Sequence, residues 1–66
     1  MNYIITKSYE DNLDILINID HIVSINPIGP DIEPITKIIT TRDIIYTNES
    51  FGSIIQAIDQ AKERYL

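Results

Sequence analysis

Before residue 50, apolar residues cluster in short segments that are typical of β-strands and are separated by polar segments. The clearest case is "LDILINI" (13–19), in which Leu13, Ile15, Ile17 and Ile19 are separated by Asp14, Leu16 and Asn18. Successive side chains of a strand point to opposite faces, so this alternation is typical of a strand with one buried face. β-forming stretches at 2–9, 22–28, 35–41 and 44–48 bring the prediction to five strands, or four if residues 13–28 form one bent strand.

Short polar segments predict the turns between these strands. "EDN" (10–12) indicates a hairpin loop, and Asp20-His21 a corner between the second and third strands. "GPDIEP" (29–34) holds one glycine and two prolines, which predicts an exposed loop. Arg42-Asp43 lacks the Asn-Gly or Asp-Gly of a tight hairpin, so the sequence predicts a turn here but not the register of the last two strands.

After residue 50 the apolar spacing changes to three and four, which indicates an amphipathic helix. Ser50 is its predicted N-cap, because the hydroxyl can accept a hydrogen bond from a first-turn amide. Lys62 and Arg64 suit the negative pole of the helix dipole near its end. The predicted inward face consists of Phe51, Ile54, Ile55, Ile58, Ala61 and Tyr65.

These elements predict one α+β domain spanning residues 1–66. It comprises a small antiparallel β-sheet of four or five strands and one C-terminal α-helix packed on one face. The sheet residues expected under the helix are Ile15, Ile17, Ile19 and Ile25.

Adjacent apolar pairs within the strands predict a second apolar face. Ile4-Ile5, Ile22-Val23, Ile38-Ile39 and Ile44-Ile45 each place bulk on both sides of a strand, yet one helix covers only one side. Large exposed apolar patches usually mark an interface, and symmetric dimers are the commonest assembly. A strongly curled sheet that shields its own second face is the alternative. The candidate interface residues are Tyr3, Ile5, Ile38, Ile44 and Tyr46.

The size and cysteine content of the chain also favour self-association. With 66 residues and no cysteine, the domain has a small core and no disulfide to support it. Dense packing or oligomerisation are the remaining routes to stability. No stretch is long and apolar enough to span a membrane, and the N-terminus lacks a secretory leader pattern, so a cytoplasmic protein is expected.

The net charge of −5 argues against direct binding to nucleic acid, which normally needs clustered lysine and arginine. Asp31 and Glu33 in the predicted exposed loop form a candidate acidic partner-binding site. An acidic surface can occupy the nucleic-acid groove of a basic protein. An inhibitor of a host defence or nucleic-acid enzyme, as encoded by a phage, is therefore an alternative function.

No residue pattern indicates an enzyme, a metal site or a cofactor site. His21 is the one histidine, and no serine lies in a Gly-x-Ser-x-Gly turn that would make it a nucleophile. The acidic residues do not follow the ligand spacing of a calcium loop, and the two glycines do not form a phosphate-binding loop. The sequence predicts a non-enzymatic interaction or accessory module that acts as a homo-oligomer.

Two segments, "ILINIDHIVSI" (15–25) and "TKIITTRDIIYTNESFGSIIQAI" (36–58), resemble short bacterial and phage proteins of the flagellar FlbD-like type. That pattern has a strand, a polar corner, a hairpin, and a Glu-Ser pair at the start of the last helix. The chain departs from it at Thr41-Arg42-Asp43, where Asp-Gly or Asn-Gly is usual, and at Gly52-Ser53, where acidic residues are usual. The resemblance implies a small sheet-plus-helix fold without catalytic residues. The strands also resemble LytTR-type DNA-binding domains, although the acidic charge argues against that activity.

Overall fold

A computed structural model describes residues 2–63, which form five strands, one 3-10 turn and one helix. The side chain of Glu63 and the predicted helix residues Arg64 and Tyr65 lie outside the described part. In chain order the elements are β1 (Tyr3–Lys7), β2 (Asp14–Asn18), the 3-10 turn (Ile19–His21), β3 (Ile22–Pro27), β4 (Thr36–Thr40), β5 (Ile44–Thr47) and α1 (Phe51–Glu63).

The strands form two small antiparallel sheets. β1 and β2 make a hairpin, and β3, β4 and β5 follow one another in a three-stranded sheet. A bridge between Ser8 and Thr47 joins the sheets, and the amide of Tyr9 donates to the carbonyl of Tyr46 at 2.9 Å. The predicted α+β class with a C-terminal helix on antiparallel strands is confirmed, with the strands in two sheets rather than one.

The hairpin turns rest on polar side chains instead of glycine. In the β1–β2 turn, Asn12 adopts a positive φ of 59°, a conformation that asparagine tolerates better than most residues. In the β4–β5 turn, the hydroxyl of Thr40 accepts from the amides of Arg42 and Asp43, at 3.1 and 3.0 Å. Thr40 also donates its amide to the carbonyl of Asp43, so the register there is set by Thr40.

The corner predicted at Asp20-His21 is a single 3-10 turn. The side chain of Asn18 accepts from the amide of Asp20 at 2.9 Å and caps the turn. The carbonyl of His21 accepts from the amide of Thr41 at 2.9 Å, which ties the corner to the β4–β5 turn.

The core is built almost entirely from isoleucine. Its buried members are Ile4, Ile17, Ile38, Ile54 and Ile58, and Ile15, Ile19, Ile22, Ile25, Ile45, Ala57 and Ala61 pack against them. The four sheet residues predicted to lie under the helix all belong to this set.

The helix buries a narrower face than its apolar spacing predicts. Ile54 and Ile58 are buried and Ala61 packs against the core, as expected. Phe51 is 40% exposed and Ile55 is half-buried, so the prediction that both seal the sheet is wrong. The sheets are narrow, and the small Ala57 takes the inward position that the pattern gave to a larger residue.

The helix starts where the sequence predicts. The hydroxyl of Ser50 accepts from the amide of Ser53 at 3.2 Å, and its carbonyl accepts from the amide of Ile54 at 3.1 Å. Ser50 is therefore the N-cap.

Candidate functional site

The outer surface of the β1–β2 hairpin, called here the hairpin face, is the main exposed apolar surface of the two-stranded sheet. Ile5 of β1 lies directly opposite Leu16 of β2, and their side chains are 62% and 61% exposed. A cross-strand pair of this kind presents two large side chains next to each other. Tyr3 and Asn18 form the neighbouring pair at one end of the face.

Charges on the hairpin face cancel. Lys7 and Asp14 form the pair at the other end, and their side chains make an ion pair at 2.7 Å. Both side chains are well exposed, so this pair contributes little to stability. It does leave a surface without net charge on a chain whose formal charge is −5.

The candidate interface residues of the other sheet divide between its two faces. Ile44 and Tyr46 lie on the outer face of β5 and are exposed, with Ile39 opposite Ile44. Ile38 is 0% exposed, so its prediction as an interface residue is wrong. The physical reason is the strand period, because Ile38 shares the inward face of β4 with buried Thr36, and Ile39 is the outward member of the pair.

The predicted acidic loop is a protruding turn with an apolar tip. Asp31 and Glu33 are exposed, and Ile32 between them is 94% exposed. The amide of Ile28 donates to the carbonyl of Ile35 at 2.9 Å, and the amide of Glu33 to the carbonyl of Pro30 at 3.0 Å. These bonds close the loop at its base and fold its tip as a turn.

A cleft of about 330 Å³ opens between the two sheets at the corner end, and is called here the end cleft. Leu16, Ile17 and Ile45 supply its apolar lining. Its polar lining consists of Tyr3, Asn18, His21, Thr40, Arg42 and Asp43. His21 therefore is both the corner residue that the sequence predicts and part of a cavity wall, which the sequence does not indicate.

Each sheet has an outer strand that directs backbone groups away from its paired neighbour, β2 at Leu16 and β5 at Ile44, and of these two residues Leu16 lines the cleft. The amide of Ser8 donates to the carbonyl of Leu13, and the amide of Ile19 donates to the carbonyl of Asn2. The odd-numbered residues on the β2 side therefore make the backbone hydrogen bonds to β1. Leu16, an even-numbered residue, therefore directs its amide and carbonyl away from β1. In the other sheet, the amide of Thr40 donates to the carbonyl of Asp43, so these two residues are a hydrogen-bonded pair. Ile44 is the next residue of β5, and its amide and carbonyl therefore point away from β4.

A buried ring of hydrogen bonds joins the two sheets to the start of α1. The hydroxyl of Thr6 donates to the Glu49 carboxylate at 2.9 Å, so the Thr47 hydroxyl donates to Thr6 at 2.6 Å. The amide of Glu49 donates back to the Thr47 hydroxyl at 3.1 Å and closes the ring. Thr36 donates to the Glu49 carbonyl at 2.8 Å.

Sequence reasoning missed this ring, because the strand period indicates it only once the inward member of each adjacent isoleucine pair is known. Thr6, Thr36 and Thr47 are all at most 1% exposed. Each lies two residues from an inward isoleucine of its own strand: Ile4, Ile38 and Ile45. A threonine in phase with core isoleucines is inward and needs a polar partner.

The described residues contain no group of three or more His, Cys, Asp or Glu side chains that could hold a metal ion. No helix within residues 2–63 is long and apolar enough to cross a membrane. A scan against protein-family models, a search of curated proteins and a search of solved structures each found no match to the chain. The resemblance to the FlbD-like type thus stays a prediction.

Proposed function

We propose that the protein is a non-enzymatic interaction module that works as a homo-oligomer, with the hairpin face as its dimer contact. The observation that carries this proposal is the directly paired Ile5 and Leu16, each more than 60% exposed. Burying such a pair against a second copy removes apolar surface from water, at about 25 cal/mol for each Å².

Charge favours a second copy of the chain as the partner at this face. Two chains that each carry −5 repel one another wherever their acidic surfaces meet. The Lys7–Asp14 ion pair keeps the hairpin face neutral, so two copies that meet there repel one another less than at an acidic surface. A two-fold contact of the same patch on both chains is the commonest form of homodimer.

The test replaces Ile5, because its side chain is exposed and its replacement leaves the core unchanged. Ile5→Lys places two like charges opposite each other in the dimer and is expected to give monomers in sedimentation velocity. Ile5→Thr keeps a β-branched side chain and is the milder variant if lysine harms folding. Val23→Ser, at an exposed position of β3, is the matched control and should leave the dimer intact. A dimer that survives Ile5→Lys would rule out the hairpin face.

The acidic loop supports a second candidate function, an inhibitor of a basic host enzyme. The supporting observation is the 94% exposure of Ile32 between Asp31 and Glu33. An apolar side chain with flanking carboxylates suits a pocket with a basic rim. Binding of purified nucleases or other basic nucleic-acid enzymes should be lost in Asp31→Lys and kept in Asp59→Lys, a charge-matched control on the helix. Equal binding by both variants would remove the loop from this function.

A further inference from the structure

The acidic loop presents an apolar side chain and carboxylates, and the end cleft offers space for such a side chain and one arginine. The loop presents one exposed isoleucine, Ile32, with a carboxylate on each side. The cleft offers about 330 Å³ of space above apolar side chains, and Arg42 stands at its rim. An isoleucine side chain fits such a space, and a guanidinium is the side chain best suited to bind a carboxylate.

Arg42 is free to take a carboxylate from outside the chain. Within residues 2–63 the one ion pair joins Lys7 to Asp14. Two other groups that can carry charge line the cleft. Asp43 lies next to Arg42 and opposes a second carboxylate there, while His21 lies on the wall formed by the corner. The cleft therefore has room for one carboxylate at Arg42, and the partner's other carboxylate has to face solvent.

The loop and the cleft lie at opposite ends of β4. The loop ends where β4 begins at Thr36, and the β4–β5 turn with Arg42 follows its last residue, Thr40. Five residues of strand separate them by about 17 Å, at roughly 3.3 Å per residue. The loop of one chain consequently cannot fill the cleft of the same chain.

We infer that the acidic loop of one copy inserts Ile32 into the end cleft of a second copy, with Asp31 or Glu33 on Arg42. This contact goes beyond the proposed dimer, and it rests on that proposal in that both require the chain to self-associate. Because the two surfaces differ, the contact is head-to-tail and can repeat from copy to copy. Tyr3, Leu16 and Asn18 belong to both the hairpin face and the lining of the end cleft, so the two contacts compete for these residues.

The close backbone packing within the loop supports a docking role. A Cβ atom at Gly29 would overlap the Glu33 carbonyl oxygen and lie 2.6 Å from the Ile35 amide nitrogen. The two halves of the loop are therefore in close contact. A segment already held in one shape loses less conformational freedom on binding than a mobile one.

The experiment measures the loop–cleft contact separately from the hairpin contact. All variants carry Ile5→Lys as the background, because that change is expected to disable the hairpin face. Two further variants are made in this background: Ile32→Ser, which lacks the tip, and Arg42→Glu, which lacks the basic rim. Each is expected to weaken self-association in sedimentation velocity by about tenfold or more. The matched controls are Val23→Ser for the lost apolar side chain and Lys62→Glu for the charge change, and both should associate like the background.

Mixing the two variants gives the decisive result. The Ile32→Ser chain keeps its cleft and the Arg42→Glu chain keeps its loop, so an equal mixture should form a one-to-one heterodimer that grows no further. A mixture no more associated than either variant alone overturns the inference, as does an Ile32→Ser variant that associates like the background.

The two proposals fail in different ways. If the unmodified chain dimerises and the Ile5→Lys background is monomeric at every concentration, the head-to-tail contact is overturned and the proposed dimer stands. If the background associates and mixing restores a heterodimer, the contact is supported even where the hairpin face fails. A monomeric unmodified chain overturns both.

Discussion

At the scale of single residues, the ring formed by Thr6, Thr47 and Glu49 is the clearest case of side chains whose loss affects more than one contact. Each hydroxyl both donates and accepts, so removing that of Thr47 takes one of the two hydrogen bonds from the buried Thr6 hydroxyl and the acceptor from the Glu49 amide. Thr47→Val should therefore destabilise the fold by about 1–3 kcal/mol, the usual cost of unsatisfied buried polar groups. Chemical denaturation measures this, with exposed Thr41→Val as the control. A cost no larger than that of the control would mean that the ring contributes nothing.

Replacing each of the two glycines by alanine gives a second prediction, because the two changes in stability are expected to have opposite signs. Gly52 lies in the first turn of α1 and has nothing within 4 Å of an added Cβ, so Gly52→Ala should stabilise the protein by about 0.5–1 kcal/mol. Gly29→Ala meets backbone atoms of the loop and should destabilise it by more than about 1 kcal/mol. Thermal unfolding of both variants checks the contrast. A Gly29→Ala protein as stable as the parent would mean that the loop can open without cost.

At the scale of elements, the inward face of α1 determines how the helix holds the sheets. Ile54 is 0% exposed, whereas Ile55 beside it is only half-buried. Ile54→Ala should cost about 2–5 kcal/mol, comparable to the whole stability expected of a domain this small. Ile55→Ala and His21→Ala should each cost much less. If urea unfolding shows that Ile54→Ala and Ile55→Ala lower the free energy of unfolding equally, the helix is rotated about its axis from the orientation described.

The elements also show where sequence reasoning succeeds and where it stops. Period two identified β2 and its inward isoleucines, and Ser50 was identified as the N-cap, because both depend on local geometry. In pairs such as Ile38-Ile39 the sequence cannot say which member is inward, since both are apolar and the choice depends on the neighbouring strand. The end cleft could not be predicted from the sequence for a related reason. It forms between two sheets whose relative placement no local pattern records.

At the scale of the whole molecule, salt should separate the two proposed contacts. The dimer at the hairpin face joins two chains of charge −5, so screening their repulsion should strengthen it. The head-to-tail contact depends on Arg42 and a carboxylate, so the same salt should weaken it. Sedimentation at low and high salt measures each effect separately: the Ile5→Lys background reports the head-to-tail contact, and Arg42→Glu made in the otherwise unmodified chain reports the hairpin dimer. Opposite trends in the two variants are expected, and identical trends would contradict the assignment of the two surfaces.

Self-association through apolar side chains that the small fold leaves exposed is the property that both proposals share. The most direct measurement is sedimentation velocity of the unmodified protein from low to high micromolar concentration. We expect a mass that rises with concentration from one chain to two and beyond. A single species with the mass of one chain at every concentration, up to the high micromolar range, would contradict it.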